Sequence, residues 1–181
     1  MPSEAFYMWM VVDLNQAAET IKRKEVSMEK PIINYESLIR ITKAISTIRE
    51  PEEIVLITVE GVTNALNVKG CTLFLFSRQS DELKLTGSFG LSDDYLNKGP
   101  VSSLRSIAAA LQDRQPVAIF DVADDPRIQY PEDAIREGIA SILSVPIIIG
   151  ENLIGCLRVY TADPWEFTLI DVNFVQAVAQ V

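Results

Sequence analysis

A chain of 181 residues, 48% apolar and 23% charged, has room for one domain with a sizeable core and an additional segment, and its composition argues against both a disordered polymer and a membrane-embedded one. Its formal charge of −9 argues against nucleic acid and anionic membranes as partners, because phosphate contacts depend on clustered Lys and Arg.

The N-terminal run Phe6–Val12 is interrupted by Asp13. It is too short to span a bilayer and lacks the layout of a signal peptide, so a cytoplasmic location is expected. Within residues 4–29, Phe6, Met10, Leu14, Ala17 and Ile21 recur at helical intervals, an apolar stripe that could pack on its own domain or on a second copy. Residues 1–30 are therefore expected to form a dimerisation or linker helix, and residues 31–181 the domain proper. Pro31 ends the first segment. A second helix is predicted over Asn34–Ile48, with Leu38, Ile41, Ile45 and Ile48 inward. Pro51, Glu52 and Glu53 suit a helix N-terminus, and the third helix should run to about Asn67 on Ile54, Ile57, Val62, Ala65 and Leu66.

Cys71–Phe76 is apolar at nearly every position, as in a strand covered on both faces. After a turn at Ser77–Asp81, Leu83, Leu85, Gly87 and Phe89 alternate with polar residues, which predicts an antiparallel hairpin partner. The segment Gly90–Asp94 should break that strand and cap a short helix through Tyr95. Ser102 or Ser103 can cap a further helix, Leu104–Asp113, with Ile107, Ala108 and Leu111 on its apolar face. Val117–Phe120 then passes into the acidic loop Asp121–Pro126 and a short helix, Pro131–Glu137. The strands Ser141–Ile149 and Leu153–Tyr160 are separated only by Gly150, Glu151 and Asn152, the spacing of a tight hairpin. A terminal helix is expected over Phe167–Val181, with Phe167, Ile170, Phe174, Val175 and Val178 inward. Its apolar pattern is still running at the last residue, so continuation into an effector domain is expected.

The succession "FDVADDPR", "EGIASILSVPI" and "GENLIGCLRVYTADPWEF" resembles the second half of a GAF domain, the small-molecule-sensing module of signalling proteins. The features that carry it are a strand ending in Asp before an Asp-Pro loop, a Ser-x-Leu-x-Val-Pro-Ile strand, and an Ile-Gly-x-Leu strand shortly before a Phe-led helix. The resemblance reaches back through Asn34. It implies an α+β, GAF-like (PAS-related) fold: a central antiparallel sheet of about six strands with helices on both faces. It also implies a regulatory role in a bacterial signal-transduction protein, with an unidentified small-molecule ligand and a linked effector. A ligand-free dimerisation or docking module is the alternative, and a homodimer through the terminal helices is expected in either case.

The chemistry available narrows the choice. With no histidine, the chain lacks the commonest general base and metal ligand, and no Ser-His or Cys-His nucleophile can form within it. Cys71 and Cys156 lack CxxC spacing and read as buried free thiols; zinc is not expected, and a redox pair is a distant third reading. No Gly-rich phosphate loop is present. Asp121, Asp124, Asp125, Glu132 and Asp133 lack the alternation of a calcium loop, and Asp favours turns for local reasons. The signatures that the family uses for cyclic GMP and for linear tetrapyrroles are missing, as are the several cysteines of its methionine-sulfoxide reductases, so no enzymatic activity is expected. Ligand-lining candidates are Phe89, Tyr95, Ile107, Phe120, Asp121, Arg127, Tyr130 and Ile139, although such aromatic and aliphatic residues also suit an ordinary core, and Arg127 suits a loop ion pair with Asp124 or Asp125. Arg158 interrupts an apolar strand on the side of Ile154, Cys156 and Tyr160. It could hold a ligand carboxylate or phosphate. The expected arrangement is a stem packed on a helix with its head in water or on an acidic group.

Overall fold

The computed structural model describes residues 35–48, 50–77, 82–102 and 113–180. The expected helix over residues 4–29, the helix at 104–113 up to residue 112, and Ile107 lie outside them.

The first described helix, α1 (Tyr35–Thr47), buries Ile41 and Ala44 on the side its spacing indicates. The next, α2 (Pro51–Leu66), starts with Pro at its first turn, where no N–H is needed, followed by Glu52 and Glu53 against the positive end of the dipole. It ends at Asn67 in the left-handed conformation, φ 50°, whose N–H returns to the carbonyl of Thr63. Thr58 and Thr63 are buried in this helix because each hydroxyl donates to the carbonyl one turn back, at 2.8 Å.

Six strands form one antiparallel sheet: β1 (Gly70–Phe76), β2 (Glu82–Phe89), β3 (Val101–Ser102), β4 (Val117–Ile119), β5 (Ser141–Ile149) and β6 (Asn152–Thr161), in the order β3-β2-β1-β6-β5-β4. The long central strands are those that read as apolar on nearly every position. β6 can lie close to β1 because position 155 is glycine: a Cβ there would stand 2.1 Å from the carbonyl oxygen of Phe74. Pro146 lies past the last pair of β4 with β5, Val117 with Ser144, so the missing N–H falls where β4 no longer runs alongside.

The two faces are covered differently. Over one lie α1, α2 and the last helix, α5 (Leu169–Ala179), enclosing Ile41, Val59, Val62, Leu143, Val145, Leu157, Val159 and Val175 with Cys71. Over the other lie the short helices α3 (Asp93–Leu96) and α4 (Pro131–Glu137) with their loops, packed on Ile142 and Tyr160 through Tyr95, Val122, Ala134 and Ile139. Helices therefore stand on both faces of a six-stranded antiparallel sheet, the α+β architecture expected.

Two expectations are corrected. The terminal helix begins at Leu169, not Phe167, because Thr168 and Asp171 close a capping box around its start. That phase leaves Leu169 and Ile170 outward, 79% and 65% exposed, while Phe174, Val175 and Val178 point inward as expected. The fourth strand stops at Ile119, and Phe120 beyond it is 53% exposed. Among the described residues no helix is long and apolar enough to cross a membrane.

Candidate ligand-binding site

The site is built on the sheet face opposite the long helices. Antiparallel registers align Thr72 of β1, Arg158 of β6 and Ser144 of β5 in one row across the sheet. All three are buried, Arg158 at 6% exposure. Polar side chains in the centre of a sheet are tolerated only with partners. Thr72 has one: its hydroxyl lies 3.0 Å from that of Tyr160. Arg158 is placed otherwise. Its guanidinium carbon sits 5.2 Å from the ring centre of Phe74, a cation–π arrangement, while its Nε and Nη2, together with Ser144 Oγ, have no hydrogen-bond partner among the described residues. The head is buried from solvent and meets no acidic side chain among the described residues, contrary to the expected arrangement.

Above this row, Ser92 caps α3, its Oγ accepting from the N–H of Tyr95 at 3.2 Å. The cap is tied to α4: the carboxylate of Glu137 accepts from the backbone N–H of Ser92 at 3.0 Å and from its hydroxyl, and pairs with Lys69 at 3.5 Å. α3 thus presents Tyr95 inward, its ring edge-on to Tyr160 at 5.9 Å. Lys98, just past α3, donates to the carbonyl of Tyr95 at 2.9 Å and lies 3.6 Å from its ring centre. The loop before α4 is fastened to the β3 segment: Tyr130 and Gln129 both donate to the Pro100 carbonyl, at 2.9 and 3.1 Å, and Gln129 accepts from the N–H of Ser102 at 3.1 Å. Between these segments and the sheet remains a small cavity of about 20 Å³ lined by Tyr95, Lys98, Val101, Ile128, Gln129, Tyr130, Ile142 and Arg158. As it stands, it has room for roughly one water-sized group.

Burial first, and then the charge of Arg158, lower the pKa of Lys98 to about 8 against the pull of Asp133 and Glu137. Burial likewise pushes the phenols of Tyr95 and Tyr160 up. Burial also works against the charge of Arg158. Its pKa is nevertheless raised, by Cys156, Tyr160 and Tyr95, groups that are neutral at pH 7. Near neutrality the cavity therefore holds a buried cation, with a second close by, and no anion lines it among the described residues.

Of the sequence candidates, the structure brings Tyr95 and Tyr130 to the cavity and Ile139 into the core cluster around Tyr95. Phe89, 41% exposed at the end of β2, Phe120 and Asp121 stand outside the lining, Asp121 using its carboxylate to accept from the N–H of Ala123 at 2.9 Å. Arg127 is held by Asp125, with Nη2 2.6 Å and Nε 2.9 Å from the carboxylate, an exposed loop pair. That contact holds the carboxyl of Asp125 below its usual range. Ile107 lies outside the described residues. Neither Lys98 nor Ser144 stands out in the sequence as a site residue. A Lys three residues after an aromatic helix residue carries no signal of its own, whereas Arg158, an ion within an apolar strand, was visible but was expected to leave the interior.

The thiols are separated by the sheet. Cys71 belongs to the cluster under the long helices and Cys156 to the opposite cluster with Phe74, Leu83 and Val101. Both are free, and burial pushes both pKa values up.

An antiparallel sheet with long helices behind and short helices and loops over a polar-floored cavity defines a class of single-sheet α+β domains. Within it, the family model described as GAF domain matches residues 50–181, and the chain belongs to that family. Solved structures agree in fold. The GAF domain of a phosphoenolpyruvate-protein phosphotransferase from Coxiella burnetii superposes with a TM-score of 0.69 at 19% identity, covering 80% of this chain and 89% of that one. A domain of a two-component sensor histidine kinase protein from Sinorhizobium meliloti gives 0.61 at 21% identity, over 73% and 87%. Free methionine-R-sulfoxide reductase from Neisseria meningitidis, solved in complex with its substrate, gives 0.67 at 19% identity, over 80% and 82%. No curated protein matches the chain in sequence.

Proposed function

We propose that this chain is the small-molecule-sensing domain of a cytoplasmic bacterial signal-transduction protein, regulatory rather than enzymatic, in which a ligand held under residues 91–138 alters the terminal helices and through them a linked effector. The observation that carries the reading is the cavity between the sheet and short, loop-borne elements. These can open at low cost, whereas α1, α2 and α5 are committed to an apolar core. Similar folds in a sensor kinase and in a methyl-accepting chemotaxis protein accord with it. Native mass spectrometry of freshly purified protein should find a retained small molecule, and its removal should accelerate hydrogen exchange within residues 91–138 first. Exchange changes confined to α1 and α2 would reject the placement. A dimerisation role is favoured by one observation, the outward Leu169 and Ile170 at the start of α5. A monomer persisting at high concentration in sedimentation would remove it.

A further inference from the structure

The unpartnered groups on the cavity side of the sheet have one chemistry in common. Nε and Nη2 of Arg158 lie along one edge of the guanidinium, two near-parallel N–H donors with no acceptor among the described residues. Arg cannot discard its proton to escape this situation, and a buried cation without an anion is strongly unfavourable. The carboxylates nearest in charge are engaged elsewhere: Asp133 with Arg136 at 2.9 Å, Glu137 with Ser92 and Lys69. Lys98 lines the same cavity and places a second positive charge there. Ser144, directly opposite Arg158 in the β5–β6 register, adds another buried hydroxyl without a partner. Among the described residues, the rest of the lining supplies no acid and includes the apolar side chains of Val101, Ile128 and Ile142.

Resting on the reading of this cavity as the sensing site, we propose that the ligand is a short-chain carboxylate, whose two oxygens take the free Nε–H and Nη2–H edge of Arg158 while Lys98 supplies a second positive charge and the short carbon body lies against Val101, Ile128 and Ile142. The planar fork of Arg matches a carboxylate edge to edge. The cavity is about one water in size as it stands and admits such a ligand only as the short helices and loops above it open, and three apolar walls suit a carbon body better than the further oxygens of a phosphate.

The test uses the full chain, with acetate, propionate and pyruvate as probes, propionamide as the neutral counterpart and inorganic phosphate as the competing anion, all at constant ionic strength. At least one carboxylate should raise the melting temperature in a concentration-dependent way and bind in calorimetry; propionamide and phosphate should do neither. Arg158→Met should weaken that binding on the order of 30-fold or more. Without ligand this variant should melt no lower than the wild type, because an uncompensated buried charge has gone. Should Arg158→Met not fold, Arg158→Lys, which keeps the charge but not the fork, serves in its place and should bind about tenfold more weakly. In the wild type, affinity should fall as pH rises from 7 to 9, because Lys98 loses its proton near 8; of the other groups that bear on it, Asp133 is paired with Arg136, Arg158 and Glu137 stay charged across that range, and Tyr95 stays neutral. Lys98→Met should abolish that dependence. Equal responses to propionate and propionamide, a response to phosphate alone, or full binding by Arg158→Met would each overturn the inference. A neutral molecule retained in native mass spectra with no carboxylate response would overturn it while leaving the sensing role intact. Absence of any retained molecule and of any probe response would remove both.

Discussion

The two faces of the sheet carry out different tasks with the same strands. β6 shows this within five residues: Leu157 and Val159 point into the layer under α1, α2 and α5, while Cys156, Arg158 and Tyr160 point to the other side. The first face is apolar and dry, closed by helices of 11 to 16 residues. The second carries Thr72, Ser144 and Arg158 in its floor and, among the described residues, is covered by helices of four and seven residues. Alternation at a period of two allows a single strand to serve a rigid core and a polar site together. The apolar packing thus lies behind the sheet, and the polar floor with its small cavity in front of it.

The largest way to test that division is Leu157→Ala on the dry face. It should cost about 2–5 kcal/mol in chemical denaturation, through lost burial and the cavity left behind, without changing which probes the protein binds. A cost below this range would mean that the long-helix face is not the packed core.

The cysteines sharpen the comparison at intermediate size. Cys71→Ser places a hydroxyl among Val, Leu and Ile, at a cost of about 1–3 kcal/mol, whereas Cys156→Ser sits beside Arg158, which can donate to it, and should cost less. Native protein should react slowly with a thiol probe at pH 7, since both pKa values are raised by burial. The two thiols face opposite sides of the sheet, so mild oxidant should not link them within one folded chain. Equal costs for the two Ser variants would contradict the polar character assigned to the second face.

The smallest effect is expected at the rim. Arg127→Ala removes an exposed partner of Asp125 and should change stability by about 0–1 kcal/mol. Because the folded-state pKa of Asp125 is depressed, its contribution is present above the unfolded carboxylate pKa and disappears as pH falls through the lowered value. The difference between wild type and Arg127→Ala should therefore vanish in acid. A difference that persists below both values would show that Arg127 acts through packing rather than through its charge.

Much of the fold was legible because periodicity and turn chemistry are local. Pro51 with two glutamates marked the start of α2, the polar segment Pro131–Glu137 marked α4, and the apolar runs of β1, β5 and β6 announced central strands. Periodicity alone makes Phe167 the first inward residue of α5, whereas the Thr168–Asp171 capping box sets the helical phase. At the site, Tyr95 and Tyr130 were among the candidates; Lys98 and Ser144 were not, and Arg158 was expected to leave the interior.

By itself, the sequence determined the antiparallel strands, the long helices and the family, since each depends on patterns within one segment. Only the tertiary structure decided which side chains meet. The two-residue turn Gly150-Glu151 pairs Ile149 with Asn152, and that register carried on unbroken would set Ser144 opposite Leu157, on the dry face. A register shift between Ile147 and Ile148 sets it opposite Arg158 instead. One residue of slip moves a whole strand's side chains to the other face, and no periodicity in the chain announces it. The fate of the Arg158 head was decided in the same way, by how α3, α4 and their loops close over the sheet, because desolvation depends on everything packed around a charge and not on its neighbours in sequence.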